Sequence, residues 1–386
     1  MEYTKIKEIN SYVSKSVNPA QMPDVVFEMY SVPTFETGHP EYLYGREIAS
    51  SKIVVKKNDI LLCKINPRIN RVWIVLDESD NPNIASSEWI VIRTDEYNPE
   101  FLAWYFRTPQ FQQRMMSEVT GIGGSLTRAQ PKRVAEYPVP VLDRQKQDRI
   151  ATVLNKIANI ISLRKQELKA YDELIKSRFV EMFGDETEFD RWPCCTISDI
   201  ADICVGVVIK PAQYYTDKSK GIPAFRSLNI GEMCVKDDAW VYFTEEGHQK
   251  NKKSIIHKND VLVVRSGEPG TACVVTEKYD GYNAVDIIIA HPDNNKVDSI
   301  FLAAFTNMPH GRNQIHERTG GAAQKHFNAG GYKALRIIMP SLDLQEQFAN
   351  FVKQTDKSKL TIQKSLDELE TLNKALMQKY FGGNGV

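Results

Sequence analysis

Two stretches of heptad periodicity constrain this chain more than any other feature. From residue 150 onward, apolar side chains recur at spacings of four and three: Ile150, Leu154, Ile157, Ile161, Leu168, Tyr171, Ile175 and Met182, with Arg164 and Arg178 in the remaining slots. The same phase returns 198 residues later as Phe348, Val352, Thr355, Lys359, Ile362, Leu366, Leu369, Asn373, Leu376 and Tyr380. A stripe sustained over nearly five heptads is the signature of a long amphipathic helix with a partner along one seam. Asp143 and Asp343 stand where N-caps belong, and Asp343 with Glu346 has capping-box spacing. Gly184 and Gly382 are natural stops. Each helix is expected to hold about 37 residues and span about 55 Å.

The helices belong to a larger repeat. Residues 57–60 read KNDI and 258–261 read KNDV. Residues 138–147, PVPVLDRQKQ, return as IMPSLDLQEQ at 338–347, where Pro140, Leu142, Asp143, Gln145 and Gln147 recur as Pro340, Leu342, Asp343, Gln345 and Gln347. Phe183-Gly184 returns as Phe381-Gly382. The chain therefore reads as two half-chains, each a globular segment followed by a helix: 1–142, 143–184, 185–342 and 343–384. Short apolar runs between turn residues predict strands: KIVV, DILLCKI and WIVIR in the first segment, and DVLVVRS, ACVVTEK and DIIIAHP in the second. FLAWYFRTPQFQQRM and IFLAAFTNM predict helices. Each segment is thus mixed α/β (α+β).

The linker at 183–192 is short, so the second helix is expected to start near the end of the first. If the stripes pack together, the helices run antiparallel and the segments sit at opposite ends of a rod, related by a pseudo-twofold axis. The matching register would place Leu154 against Leu376, Ile161 against Leu369, Leu168 against Ile362 and Met182 against Phe348. The alternative is that each stripe buries itself on its own domain.

Charge and motifs narrow the function. Of 386 residues, 49 are Lys or Arg and 49 Asp or Glu. Bulk positive charge therefore cannot drive nucleic-acid binding, but local basic patches can. No apolar run is long enough for a membrane span, and MEYTKIKEINSYV lacks a signal-peptide core. The six cysteines form no C-x-x-C and no zinc spacing, as expected of free thiols in the cytoplasm. Phosphate-loop, G-x-S-x-G and H-E-x-x-H motifs are absent, and so is an amino-methyltransferase tetrapeptide. Gly121-Ile122-Gly123-Gly124 lacks the last glycine of a dinucleotide fingerprint and reads as a loop. The expectation is a chain that is not itself an enzyme and binds no metal.

Residues 52–71 hold six Lys or Arg against Asp59 alone, whereas 76–100 are acidic apart from Arg93. Residues 310–336 are basic again, with His310, His316 and His326. Such polarisation suits a duplex-binding face, and equally a solvated surface of alternating charge. The basic stretches carry the side chains that read bases, Arg and Lys for guanine, Asn and Gln for adenine. The candidates for DNA contact are Lys64, Asn66, Arg68, Asn70, Arg71, Ser125, Thr127, Arg128 and Lys132 in the first segment. In the second they are Arg226, Asn229, Arg265, Ser266, Gln324, Lys325, His326 and Asn328.

Assembled, these features resemble a specificity subunit of a type I restriction–modification system. The resemblance covers essentially the whole chain. It rests on the two Pro-x-Leu-Asp-x-Gln-x-Gln junctions, the loops GIGGSLTRAQ and GGAAQKHFN before them, and the Lys-Asn-Asp-[Ile/Val] strand openings. Gln324-Lys325-His326-Phe327-Asn328 looks like the family's domain-closing motif, whereas the first segment departs from it with Leu126-Thr127-Arg128-Ala129-Gln130. The resemblance implies two target-recognition domains, each reading one half of a split, asymmetric sequence in double-stranded DNA. It implies that the helices act as spacer and as docking surface for two methyltransferase subunits, with motor-nuclease restriction subunits joining them. S-adenosylmethionine, ATP and Mg²⁺ would then belong to those partners, with no cofactor on this chain. A coiled-coil adaptor, or a specificity subunit of another DNA modification or defence system, is the competing reading.

Overall fold

The computed structural model describes residues 2–117, 127–319 and 326–382. The chain divides into two compact units: residues 1–165 with 365–386, and residues 166–364. Both are mixed α/β. Each long helix has 40 residues, Arg144–Phe183 and Leu342–Phe381, a little longer than the stripe alone suggests. Among the described residues no helix is long and apolar enough to cross a membrane. All six cysteines are free thiols.

In the first unit a three-stranded sheet has Ile60–Cys63 at its centre, antiparallel to Val72–Ile74 and Trp89–Ile92. A five-stranded sheet beside it contains one parallel pair, Val26–Tyr30 with Asn83–Ala85. The central strand is buried on both faces, so its side chains alternate between two cores. Ile60 and Leu62 pack with Phe101, Phe106, Ile150 and Leu154. Leu61 and Cys63 pack with Tyr30, Trp73 and Trp89. The aromatic run at 101–115 is two helices, Pro99–Phe106 and Pro109–Ser117. Pro109 cannot continue a helix, which explains the break.

The second unit repeats this plan. Val261–Val264 lies between Ala272–Val274 and Ile287–Pro292, with Ala201–Val205 at the edge. Val261 and Val263 face a core containing Phe179, Phe301, Phe305 and Phe348. Leu262 and Val264 face another, containing Phe225 and Tyr279. Here too a second sheet has one parallel pair, Ile222–Phe225 with Asn283–Ala284.

Every position of both heptad stripes is buried or half-buried. In the first unit the start of one helix meets the end of the other: Ile150, Leu154, Leu376, Tyr380 and Phe381 share one core with Phe101 and Tyr105. Lys165 pairs with Glu370 at 2.8 Å. Within the second unit, Phe179 and Phe183 lie 5.5 and 5.7 Å from Phe348 between ring centroids. Met182 packs against the same core. Lys359, a polar slot in the stripe, reaches Asp172 at 2.6 Å.

The junctions differ from the sequence reading in one respect. Asp143 is the N-cap of the first long helix and accepts from Lys146 N at 2.9 Å. The second helix begins at Leu342, so Asp343 lies inside its first turn and forms no capping box. Ser341 precedes that helix, and its carbonyl accepts from Gln345 N at 3.1 Å. The letter match at an offset of 200 is therefore not the structural match, which runs at 198. Gln147 corresponds to Gln345, both buried. Gln147 Nε2 donates to Leu142 O at 2.8 Å, and its Oε1 accepts from Asn98 N at 2.8 Å. Gln345 makes the same two bonds, to Pro340 O and from Asp298 N, at 2.8 and 2.9 Å. Asn98 and Asp298 cap the short aromatic helices, so each glutamine ties a long helix to the domain before it.

Candidate nucleic-acid interface

In each unit the central strand runs out into a loop, and a distant segment closes on that loop. Ile65 bridges Arg128 in the first unit, and Ser266 bridges His326 in the second. Backbone bonds lock both closures. Asn66 N donates to Thr127 O and Ala129 N to Lys64 O, each at 2.8 Å, while Phe327 N donates to Arg265 O at 2.9 Å. Two clusters about sixty residues apart in sequence thus become one rim in each unit.

The first rim is built from polar side chains on a rigid base. Asn66 takes a left-handed conformation, φ 48°, which an asparagine tolerates. Gln112 Nε2 donates to Arg68 O at 2.6 Å, leaving the Arg68 side chain exposed. Lys64 Nζ donates to Ser87 O at 2.6 Å, and Arg128 pairs with Glu88 at 3.0 Å. Arg71 is mostly buried and lies 3.8 Å from Glu36. Asn70 Nδ2 reaches Phe106 O at 3.4 Å. Thr127 is half-buried, and Lys132 is exposed on the short helix Pro131–Val134. Ser125 lies outside the described residues. Among the described residues, Asn66 Oδ1, Arg71 Nε and Glu88 Oε2 are buried without a hydrogen bond.

The second rim centres on Arg265. Its Nη1 pairs with Asp286 at 2.7 Å and its Nη2 bonds His326 Nε2 at 2.8 Å. Arginine only donates, so His326 Nε2 accepts, and His326 Nδ1 donates to Ser266 Oγ at 3.0 Å. Asn328 caps Ala329–Lys333 through Gly331 N at 2.7 Å. Arg226 bonds Ala239 O, and its Nε is buried without a hydrogen bond. Gln324 and Lys325 lie outside the described residues.

Two expected contact residues are buried and bonded within the fold. Asn229 is wholly buried. Its Oδ1 accepts from Arg226 N at 2.9 Å and its Nδ2 donates to Asp238 O at 2.6 Å. Arg265 is 8% exposed and committed to Asp286, His326 and Phe327 O. Asn229 is thus engaged inside its own turn, and Arg265 places three of its five donors within the rim. The basic stretches are likewise partly spent inside the fold. Lys52 is buried against Ser50, His310 is buried, and Arg312 bonds Pro269 O at 2.9 Å. Sequence reasoning missed the carboxylates Glu88 and Asp286, which anchor Arg128 and Arg265. Their only signal was a place in acidic or apolar stretches set apart from the basic ones.

Residues 191–371 match the family described as the type I restriction modification DNA specificity domain. The MjaVIII type I restriction enzyme specificity subunit of Methanocaldococcus jannaschii is 20% identical over 409 residues, spanning 99% of this chain and 92% of that protein. The EcoBI specificity subunit of Escherichia coli is 20% identical over 324 residues, 76% of this chain and 67% of that protein. Two solved structures share the fold. The type I restriction–modification S subunit from M. genitalium has a TM-score of 0.56 at 14% identity, covering 98% of this chain and 95% of that one. A chain from a study of assembly and conformational transition in a type I R-M system has a TM-score of 0.57 at 16% identity, covering 100% and 98%. The resemblance to type I specificity subunits drawn from the sequence holds, with residues 191–371 matching the model of their DNA specificity domain.

Proposed function

We propose that this chain selects a split DNA sequence for a type I restriction–modification complex, each unit reading one half-site through its rim. One observation carries the reading: the same closure of a strand-end loop by a distant polar segment occurs in both units, at Ile65–Arg128 and Ser266–His326. The duplicated frame with different rim residues supports an asymmetric target rather than a palindrome. Arg68, Asn66, Thr127, Arg128 and Lys132, with His326, Asn328, Arg226 and Ser266, are the described side chains proposed to meet DNA. Lys64, Asn70 and Arg71 support the first rim. Ser125, Gln324 and Lys325 remain part of the proposal on sequence grounds.

In this reading the long helices pair antiparallel and set the distance between half-sites. The meeting of helix start with helix end inside each unit supports that arrangement. Their remaining apolar side chains suit docking of methyltransferase subunits: Val153, Ile160 and Leu163 are exposed in the first unit, and Leu174 and Val180 in the second. The chain recognises, and its partners bind S-adenosylmethionine, ATP and Mg²⁺ and perform the chemistry.

The test is to express the chain with and without the adjacent methyltransferase and to map adenine methylation by long-read sequencing. Methylation at one asymmetric split motif, only when both are present, is the expected result. No new methylation with an active partner would overturn it and favour a coiled-coil adaptor.

A further inference from the structure

In the second unit three chain segments run parallel and end at one edge. Ile222–Phe225 pairs in parallel with Asn283–Ala284, and Val207 bridges Val285 in parallel on the opposite side. Val285 N donates to Phe225 O, and Asp286 N to Val207 O, so the middle segment bonds both neighbours. Parallel segments release their C-terminal ends on the same side, the arrangement that forms ligand crevices in parallel sheets. Val208–Lys210, Arg226–Leu228 and Asp286 therefore emerge together. The Arg265–Asp286 pair brings Ser266 and His326 to the same edge.

That edge is unusually apolar for a surface. Val208 is 52% exposed, Ile209 79% and Leu228 63%. They are held on a fixed frame. A Cβ on Gly206 would lie 2.4 Å from Ala284 O, so the chain is pressed against its neighbour just before Val208. Lys210, at φ 46°, turns it away just after Ile209. Lys210 follows Ile209 and Arg226 precedes Leu228 by two residues on the same segments, and the Asp286 carboxylate is matched by Arg265. The corresponding edge of the first unit, where Tyr30 pairs with Ala85, continues into Ser31 and Ser86–Glu88 without a large apolar tip.

Apolar tips beside cations complement one feature of the major groove, the thymine C5-methyl flanked by phosphates. We propose that Val208, Ile209 and Leu228 are specificity-determining contacts to thymine methyl groups in the half-site read by the second unit. This rests on the DNA-recognition reading above. The test uses the full chain with its methyltransferase, and duplexes carrying the mapped motif with thymine replaced by deoxyuridine in one half-site at a time. Wild type should bind about fourfold more weakly for each methyl lost, at one half-site only. Ile209→Ser and, on a separate segment, Leu228→Ser should each lower affinity for the thymine duplex and shrink the penalty for deoxyuridine. Melting temperatures should stay at the wild-type value, because both side chains are largely in solvent. A split motif that is methylated but indifferent to deoxyuridine, or an equal penalty in wild type and both variants, overturns this inference alone. Absence of any methylated split motif overturns the recognition reading and this inference together.

Discussion

Asn58 and Asn259 both adopt left-handed backbone, φ 68° and 72°, and this accounts for the recurrence of Lys-Asn-Asp. The aspartate that follows caps the turn: Asp59 Oδ2 accepts from Lys56 N, and Asp260 Oδ2 from His257 N. Each also holds a cation from the neighbouring strand. Asp59 forms a two-pronged pair with Arg93 at 2.7 and 2.6 Å, and Asp260 bonds His291 Nδ1 at 2.7 Å. The bond to Asp260, aided by Cys204 and opposed by burial, pushes His291 from 6.5 up to about 10. A raised value means that the stabilisation is full below about pH 6.5, declines above it and is gone once pH passes about 10. Asp260→Asn keeps a cap and removes the charge. Its stability deficit, measured by urea denaturation across pH, should follow that window, and a pH-independent deficit would show that Asp260 acts only as a cap. Arg68 and Asn229 make a second contrast. Arg68→Ala should relax one half-site in methylation maps, by about 1–3 kcal/mol for a true base contact, with no change in melting temperature. Asn229→Ala should instead lower stability by about 1–3 kcal/mol, since it strips bonds from a buried turn.

At the scale of elements, the repeated Phe-Gly at the helix ends has a packing purpose. Phe381 lies 5.5 Å from Phe101, and Phe183 lies 5.0 Å from Phe301, so a long helix ends on the aromatic helix of each unit. Gly184, at φ 87°, then lets the chain turn away. Phe183→Ala or Phe381→Ala should cost about 3–5 kcal/mol. Lys165→Ala, which removes an exposed pair with Glu370, should cost less than about 1 kcal/mol. Denaturant titration of the three variants checks the ranking, and a costlier loss at Lys165 would mean that charge rather than aromatic packing secures the helices. The helices themselves were legible because amphipathic periodicity is local. The cap of the second helix was not, because Asp343 and Ser341 are both good capping residues and only the helix start chooses between them.

For the whole molecule, the proposed antiparallel pairing makes helix length a ruler. Inserting one heptad into both helices would lengthen them by about 10 Å, roughly three base pairs of B-DNA. The methylated motif should then show a longer spacer and unchanged half-sites. An unaltered spacer would assign the spacing to the partner subunits instead. Ile160→Asp with Leu163→Asp should abolish co-purification of the methyltransferase while leaving the chain folded, as judged by circular dichroism, if those exposed side chains dock it.

By itself the sequence determined whatever depends on neighbours along the chain: two long helices from heptad spacing, strands from apolar runs, and a repeat from recurring turns and junctions. It also brought into view two segments that the fold joins, 64–66 and 127–129. The tertiary structure decided which of their side chains face outward. Arg265, Asn229 and Lys52 look in sequence like Arg68, Asn66 and Lys64, yet they are buried. Composition records how many cations a segment holds, whereas the burial of Arg265 depends on Asp286 and Phe327, which only folding brings within hydrogen-bonding reach. The parallel edge that exposes Ile209 beside Leu228 is of the same kind, because strand direction and neighbour are set by long-range pairing that no local pattern encodes.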